Sequence, residues 1–382
     1  MVGEAEAAAA QATVLSGWLT QGRQVAAFEH EFAAFVGARY ACAVSNCTAA
    51  LHLALLAAGV GFGDEVITVS HSFIATANSV LCCNAMPVFV DIDPQTYNID
   101  PQRISAAVTH RTKAILCVHQ MGMPCDLSRV LAVARHHGLP VIEDAACAVG
   151  SEIRVEAGQW ERIGRPHSDV ACFSFHPRKV ITTGDGGMLT TANPEWDALF
   201  RLWRQHGMSV SDAVRHNAGA VIFESYRIPG FNYRMTDIQA AVGRCQLERL
   251  PDILQRRRAL AQNYKERLAN CPDVHAPSEP VWARSNWQSY CVRLDPACPQ
   301  VEVMQAMLDD GIATRRGIMC THLEEAYAGQ RPTFPLPQSE RARDGCILLP
   351  LYPEMTDGDQ DRVVDALITA TRRFKRPRNH VA

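Results

Sequence analysis

Seven short apolar runs recur in the first half of the chain, each closed by polar, glycine or proline positions. They are "YACAVS" from Tyr40, "DEVITVS" from Asp64, "MPVFVDID" from Met86, "KAILCVH" from Lys113, "LPVIEDA" from Leu139, "DVACFSF" from Asp169 and "GGMLTT" from Gly186. Runs of this length and content predict buried strands. Between most of them lie segments with apolar positions at helical spacing: "TAALHLALLAAG" from Thr48, "FIATANSVLCCN" from Phe73, "PQRISAAVTH" from Pro101 and "LSRVLAVARHHG" from Leu127. Strands alternating with helices predict an α/β fold whose mostly parallel sheet is covered on both faces. Ligands of such sheets bind beyond the carboxyl ends of the strands, so the residues that follow each run are the candidates for chemistry.

After about residue 240 the pattern changes. The stretch from Thr236 to Cys271 has helical spacing with charges on a solvated face, and Pro251 is expected to interrupt it. It leads out of the large domain. "SYCVRLD", "VEVMQAMLDDGIATRR" and "DQDRVVDALITATRRF" predict a few more strands and helices. The expected organisation is a large domain over residues 1–245 and a smaller C-terminal α/β domain over 246–382, with the N-terminal segment free to pack on the small domain. The uncharged stretch Ala41 to Val60 contains Ser45, Asn46, Thr48 and His52 and splits into a strand-like and a helix-like half, which favours a buried strand-turn-helix over a membrane span.

The chain has 382 residues, 47% of them hydrophobic and 20% charged, enough for a sizeable core. Its 37 Lys and Arg against 40 Asp and Glu give a formal net charge of -3, so no global field directs it to nucleic acid or an anionic membrane. The basic "RRFKRPRNH" near the C-terminus is expected to be a solvated tail. Fourteen cysteines are scattered without a C-x-x-C pair or a zinc-ligand spacing, which predicts reduced, mostly buried thiols and no metal site. The first residues lack a basic segment of the signal-peptide type, so the expected location is the cytoplasm.

Three strand ends carry the candidate chemistry. Ser45, Asn46, Cys47 and Thr48 fall where a helix begins; free backbone N–H groups there suit a phosphate, although these residues are also ordinary caps. Asp144 follows the fifth run and either caps a turn or faces a ligand cation, with Glu143 pointing the opposite way. Lys179 follows the sixth and precedes "TTGDGG"; it is either a surface residue or a desolvated amine whose depressed pKa suits Schiff-base chemistry. Pyridoxal phosphate (PLP) uses all three features together: an imine-forming lysine, a carboxylate at the pyridine nitrogen and donors for the phosphate.

With these motifs, and with "SGWLTQGRQVAAFEHEFAAFVGA", "PVFVDIDPQTYNID", "FNYRMTDIQAAVG" and "LPLYPEMTDGDQDRVV", nearly the whole chain resembles the DegT/StrS-type sugar aminotransferases of PLP fold type I. The resemblance implies that Lys179 forms the Schiff base with the cofactor and moves the proton, that Asp144 pairs with the pyridinium, and that Thr48 and Ser174 bind the phosphate. Phe73 matches an aromatic ring that stacks on the cofactor, its alternative being core packing. Asn232 matches an asparagine that reaches the phosphate of the neighbouring subunit, which implies a homodimer. Cys147 departs from the family's usual Gln or His near the phenolic oxygen, and Cys47 from its usual glycine. Relatives that dehydrate sugars carry histidine in place of the lysine; Lys179 argues against that chemistry, and His176 lies three residues too early to be the replacement.

The resemblance further implies amination, through the pyridoxamine form and with glutamate as donor, of a keto group on a nucleotide-linked deoxysugar. "GIATRRGIMCTH" is most similar to the perosamine-synthase branch, which acts at carbon 4. Arg315, Arg316 and His322, with His176, are the candidate substrate contacts, the alternative for the first three being a solvated helix end. An aminocyclitol or free keto-sugar is an alternative acceptor; a PLP-binding regulatory protein and a dehydratase or lyase are alternative functions.

Overall fold

The computed structural model describes residues 2–155, 158–216 and 218–374, so the expected basic tail lies outside the described residues from 375 onward. Helices α1 (Glu4–Leu15) and α2 (Arg23–Val36) come first. Strand and helix then alternate through β1 (Tyr40–Val44), α3 (Cys47–Ala57), β2 (Glu65–Val69), α4 (Ala75–Cys82), β3 (Met86–Val90), α5 (Pro101–Ala107), β4 (Thr112–Val118), α6 (Leu127–His137) and β5 (Val141–Asp144). Short β6 (Glu152–Arg154) and β7 (Trp160–Arg162) precede β8 (Val170–Ser174), β9 (Gly187–Thr191), α7 (Pro194–Trp203), α8 (Asp212–His216) and the long α9 (Asp237–Leu268).

All seven predicted strands join one sheet in the order β1-β9-β8-β5-β4-β2-β3. The pairs β2–β3, β2–β4, β4–β5 and β5–β8 are parallel, while β9 runs antiparallel to both β8 and β1. A loop rather than a crossover helix joins β8 to β9, which is why that pair is antiparallel. Adjacent residues serve opposite faces: Phe173 packs with Phe28, Phe32 and Phe175, whereas Cys172 packs with Leu51, Leu55 and Phe200. Burial on both sides explains why the runs are continuously apolar rather than alternating. The Ala41–Val60 stretch is β1, its turn and α3, and among the described residues no helix is long and apolar enough to cross a membrane.

Pro251 does not interrupt α9, which continues through it for 32 residues, contrary to the expectation. A proline inside a helix removes one hydrogen bond and costs about 3 kcal/mol. Leu247 and Leu250 before it and Ile253 and Leu254 after it all bury in the large-sheet core, and that packing outweighs the loss. Further along, Leu260, Ala261, Tyr264 and Leu268 belong to a second core. This covers a four-stranded sheet ordered β10-β12-β14-β13, built from β10 (Val274–His275), β12 (Tyr290–Leu294), β13 (Arg315–Arg316) and β14 (Cys346–Leu349). The helices α10 (Gln300–Asp309), α11 (Pro337–Gly345) and α12 (Asp357–Arg372) accompany it, and β11 (Ala283–Arg284) reaches back to pair with β6. We place the division between the two units inside α9, between Leu254 and Leu260, later than residue 245. The N-terminal α1 packs on the first half of α9, through Glu6 to Gln246 and Arg249, on the large-sheet side of that division.

Candidate active site

Beyond Ser174 the chain turns tightly. The Lys179 N–H donates to the His176 carbonyl over 2.8 Å, and the Phe175 N–H donates to Gly186 O over 2.9 Å, closing the loop at its base. Gly184 takes a φ of 86°, a conformation that glycine adopts without strain. His176 is absorbed in this turn, its Nδ1 accepting the Arg178 N–H over 3.2 Å. The loop delivers the half-buried Lys179 side chain to Cys147, where Nζ donates to Sγ over 3.2 Å.

Burial works against the Lys179 charge, but the Cys147 sulfur and the Asp144 carboxylate outweigh it and hold the ammonium above its usual range. This reverses the depressed pKa expected of a desolvated amine; an anion and a polarisable sulfur beside the cation are the reason. Asp144, buried at the end of β5, accepts the Thr76 hydroxyl at Oδ2 over 2.8 Å and the Ala146 N–H at Oδ1 over 3.1 Å. Glu143 does point the other way, into a wholly buried bond of 2.8 Å with His119 Nε2. Since His119 Nδ1 accepts the Cys125 N–H over 2.9 Å, Nε2 is the donor to Glu143. That pair secures the underside of the strand end that carries Asp144.

At the β1–α3 turn, Asn46 caps the helix, its Oδ1 accepting the Ala49 N–H over 2.8 Å. The N–H groups of Cys47 and Thr48 occupy the first turn, where a helix offers no carbonyl, so capping and anion binding coexist here. A Cβ on Gly187 would stand 2.6 Å from Asn46 O and 2.8 Å from Cys47 N, so only glycine lets β9 begin against this turn. Gly187 pairs with Ser174, which brings Ser174, Cys47 and Thr48 to one place on the sheet edge. An open cleft of about 440 Å³ adjoins it, lined in part by Thr48, His52, Asp185 and Tyr233.

The other candidates separate. Phe73 is 67% exposed, which removes core packing as its role. Asn232 is exposed and bridged to Gln205, while its neighbour Tyr233 accepts the Ser45 N–H over 2.8 Å. Arg315 and Arg316 are exposed but form an edge strand, not a helix end, and Arg316 lies 3.3 Å from Glu324. The His322 side chain is buried, with Nδ1 2.6 Å from Ser70 Oγ and Nε2 3.3 Å from Glu340, so it ties the small unit to the end of β2. Thr76, Ser70 and His119 were not among the candidates. Their partners lie far along the chain, and nothing local marks them.

The donor set fits PLP. A carboxylate held by two donors, an amine beside it, and helix-start N–H groups with a serine at a cradle that a Cβ would fill are what a pyridinium, an aldehyde and a phosphate require. Among the described residues no group of three or more His, Cys, Asp or Glu is placed to hold a metal. Fold and site together define a PLP enzyme of fold type I. Residues 1–368 match the DegT/DnrJ/EryC1/StrS aminotransferase family, and the chain belongs to it. It is similar to the spore coat polysaccharide biosynthesis protein SpsC of Bacillus subtilis (strain 168), at 40% identity over 96% of this chain and 94% of the relative. Among solved structures it is similar to S. venezuelae DesV in complex with a ketimine intermediate, at 34% identity and a TM-score of 0.87 over 95% of this chain and 93% of the other. It is also similar to the aminotransferase TlmJ of Streptoalloteichus hindustanus, at 33% identity and a TM-score of 0.88 over 97% and 96%. The protein is an aminotransferase, and its cofactor is PLP.

Proposed function

We propose that this enzyme moves an amino group from glutamate to the keto group at carbon 4 of a nucleotide-linked keto-deoxysugar, working in the cytoplasm as a homodimer. The convergence of Lys179 Nζ and the Asp144 carboxylate on one strand-end site carries the aminotransfer reading. The sugar reading is supported by the polysaccharide-biosynthesis relative and by the wording "GIATRRGIMCTH".

Bound at this site, PLP supplies the electron sink that lets a C–H bond beside nitrogen ionise. Asp144, oriented by Thr76 and Ala146, keeps a proton on the pyridine nitrogen. Lys179 Nζ holds the cofactor at rest and, once released, takes the proton from the donor's carbon and returns it. Ser174 and the Cys47 and Thr48 N–H groups would bind the phosphate, the exposed Phe73 would pack on the ring, and Cys147 would be the group offered to the phenolic oxygen. Asn232 serves the phosphate of the second subunit. Arg315 and Arg316 offer guanidinium forks to the substrate's diphosphate; His322, engaged at both ring nitrogens, positions the segment that carries them.

The test is the visible spectrum of the PLP-loaded protein. Glutamate is expected to bleach the band of the lysine-bound cofactor, and one member of a panel of nucleotide-linked 4-keto-6-deoxysugars to restore it. Bleaching without recovery by any such sugar would overturn the acceptor; silence toward every amino donor would favour a binding role.

A further inference from the structure

Eleven of the fourteen cysteines are buried, while Cys82 is exposed and Cys147 and Cys245 are partly so. Among the described residues, Cys147 is the one of these three with an amine in contact, Lys179 Nζ at 3.2 Å from its Sγ. Both side chains leave well-tied backbone. Asn286 Nδ2 donates to the Cys147 carbonyl over 2.8 Å and to the Val149 carbonyl over 2.9 Å, and Lys179 is held by its bond to His176. Nitrogen and sulfur are thus held in direct contact by anchored backbone on both sides.

We propose that Cys147 is an oxidant-sensitive modification site whose sulfur captures Lys179 Nζ in a covalent S–N bond whenever the lysine is free of cofactor. The inference rests on the reading of Lys179 as the cofactor lysine. The co-reactant is a hydroperoxide. Sγ attacks the terminal oxygen of HOOH; the O–O bond breaks, sulfur loses two electrons, and Cys147 S–OH and one water result. The neighbouring ammonium stabilises the charge that leaves with the second oxygen. Nζ, having lost its extra proton to solvent, then attacks Sγ. The S–N bond forms, the S–OH bond breaks, and hydroxide leaves with a proton from Nζ as a second water. The linked protein is lighter by two hydrogens, and a thiol reductant returns both side chains to their starting forms. Cofactor on Nζ removes the nucleophile, so the loaded enzyme stops at the first step. The site thus marks unloaded protein under oxidation and keeps it out of the active pool until it is reduced.

The experiment treats the full-length protein, freed of PLP, with hydrogen peroxide and identifies the digest by mass spectrometry. The expected result is a linked pair of peptides containing Cys147 and Lys179, two hydrogens below their summed mass and separated by dithiothreitol. Uptake of PLP is lost and then regained over the same cycle. Cys147→Ser is expected to give no link, and its PLP uptake, read against its own untreated level, is expected not to change with peroxide, while the exposed Cys82 oxidises without linking. Recovery of Cys147 as free thiol, or as sulfonic acid with Lys179 unlinked, overturns the proposal. Borohydride reduction of the loaded, untreated protein separately locates the cofactor. If that mass sits on another lysine, the reading of Lys179 falls and the protective role of the cofactor falls with it.

Discussion

Thr76 Oγ1 donates to Asp144 Oδ2 over 2.8 Å, joining the first turn of α4 to the end of β5 across 68 residues of sequence. Ser72 Oγ lies 2.8 Å from Thr76 Oγ1, so the carboxylate terminates a short buried chain of hydroxyls. A hydrogen bond to a charged group contributes about 1.5–3 kcal/mol. Thr76→Val keeps the shape and removes the donor. Its expected result is about tenfold weaker PLP affinity, read from spectroscopic titration, with the secondary structure unchanged by circular dichroism.

Lys179→Ala leaves Asp144 and the phosphate donors in place. The variant is expected to take up PLP without a covalent bond and without turnover. Borohydride reduction followed by mass spectrometry should add cofactor mass to the wild type and none to the variant; a fully active Lys179→Ala enzyme would sink the assignment.

Gly187→Ala drives a methyl group into Asn46 O and Cys47 N, which are backbone atoms and cannot turn aside. Overpacking of this kind costs about 1–3 kcal/mol. Denaturant unfolding should show that loss, and PLP affinity should fall with it because the displaced turn is the one assigned to the phosphate.

Phe73 separates binding from folding. At 67% exposure it contributes little to the core, so Phe73→Ala is expected to change unfolding stability by less than about 0.5 kcal/mol. Ring stacking is worth about 0.5–1.5 kcal/mol, so PLP affinity should fall severalfold in the same variant. Unchanged affinity would remove the stacking role.

Glu6 gives a pH signature. Burial works to raise its carboxyl, but bonds from Gln246, the Gly3 N–H and Arg249 outweigh this and bring it from the usual 4.5 down to about 2. A carboxyl depressed in the folded state stabilises fully above 4.5 and loses that contribution as pH falls toward 2. Thermal melts in that window should drop more steeply for the wild type than for Glu6→Gln, whose deficit is largest at neutral pH and shrinks as acid is added.

The strands were legible because burial on both faces leaves uninterrupted apolar runs. Lys179 was visible as a candidate because a lone cation between such a run and a glycine cluster stands out, and Asp144 as a candidate by its place after a strand, while strand alternation alone assigned Glu143 to the opposite side. Pro251 misled because local chemistry cannot register the leucines that bury on both sides of it. The helix-end alternative for Arg315 and Arg316 failed because a two-residue edge strand has no periodicity to detect. The raised Lys179 pKa was hidden for a related reason: it depends on a thiol 32 residues away, and burial by itself points in the opposite direction.

The grip of Gln246 and Arg249 on Glu6 has a consequence during synthesis. Those partners follow Glu6 by 240 and 243 residues, so a chain leaving the ribosome at about 5–20 residues per second exposes its first helix for on the order of ten seconds or more before they exist. Through that interval the alanine-rich segment has nothing of its own to dock on. A helix made that long before its partners is therefore secured late, and a nascent-chain chaperone would meet it unpaired.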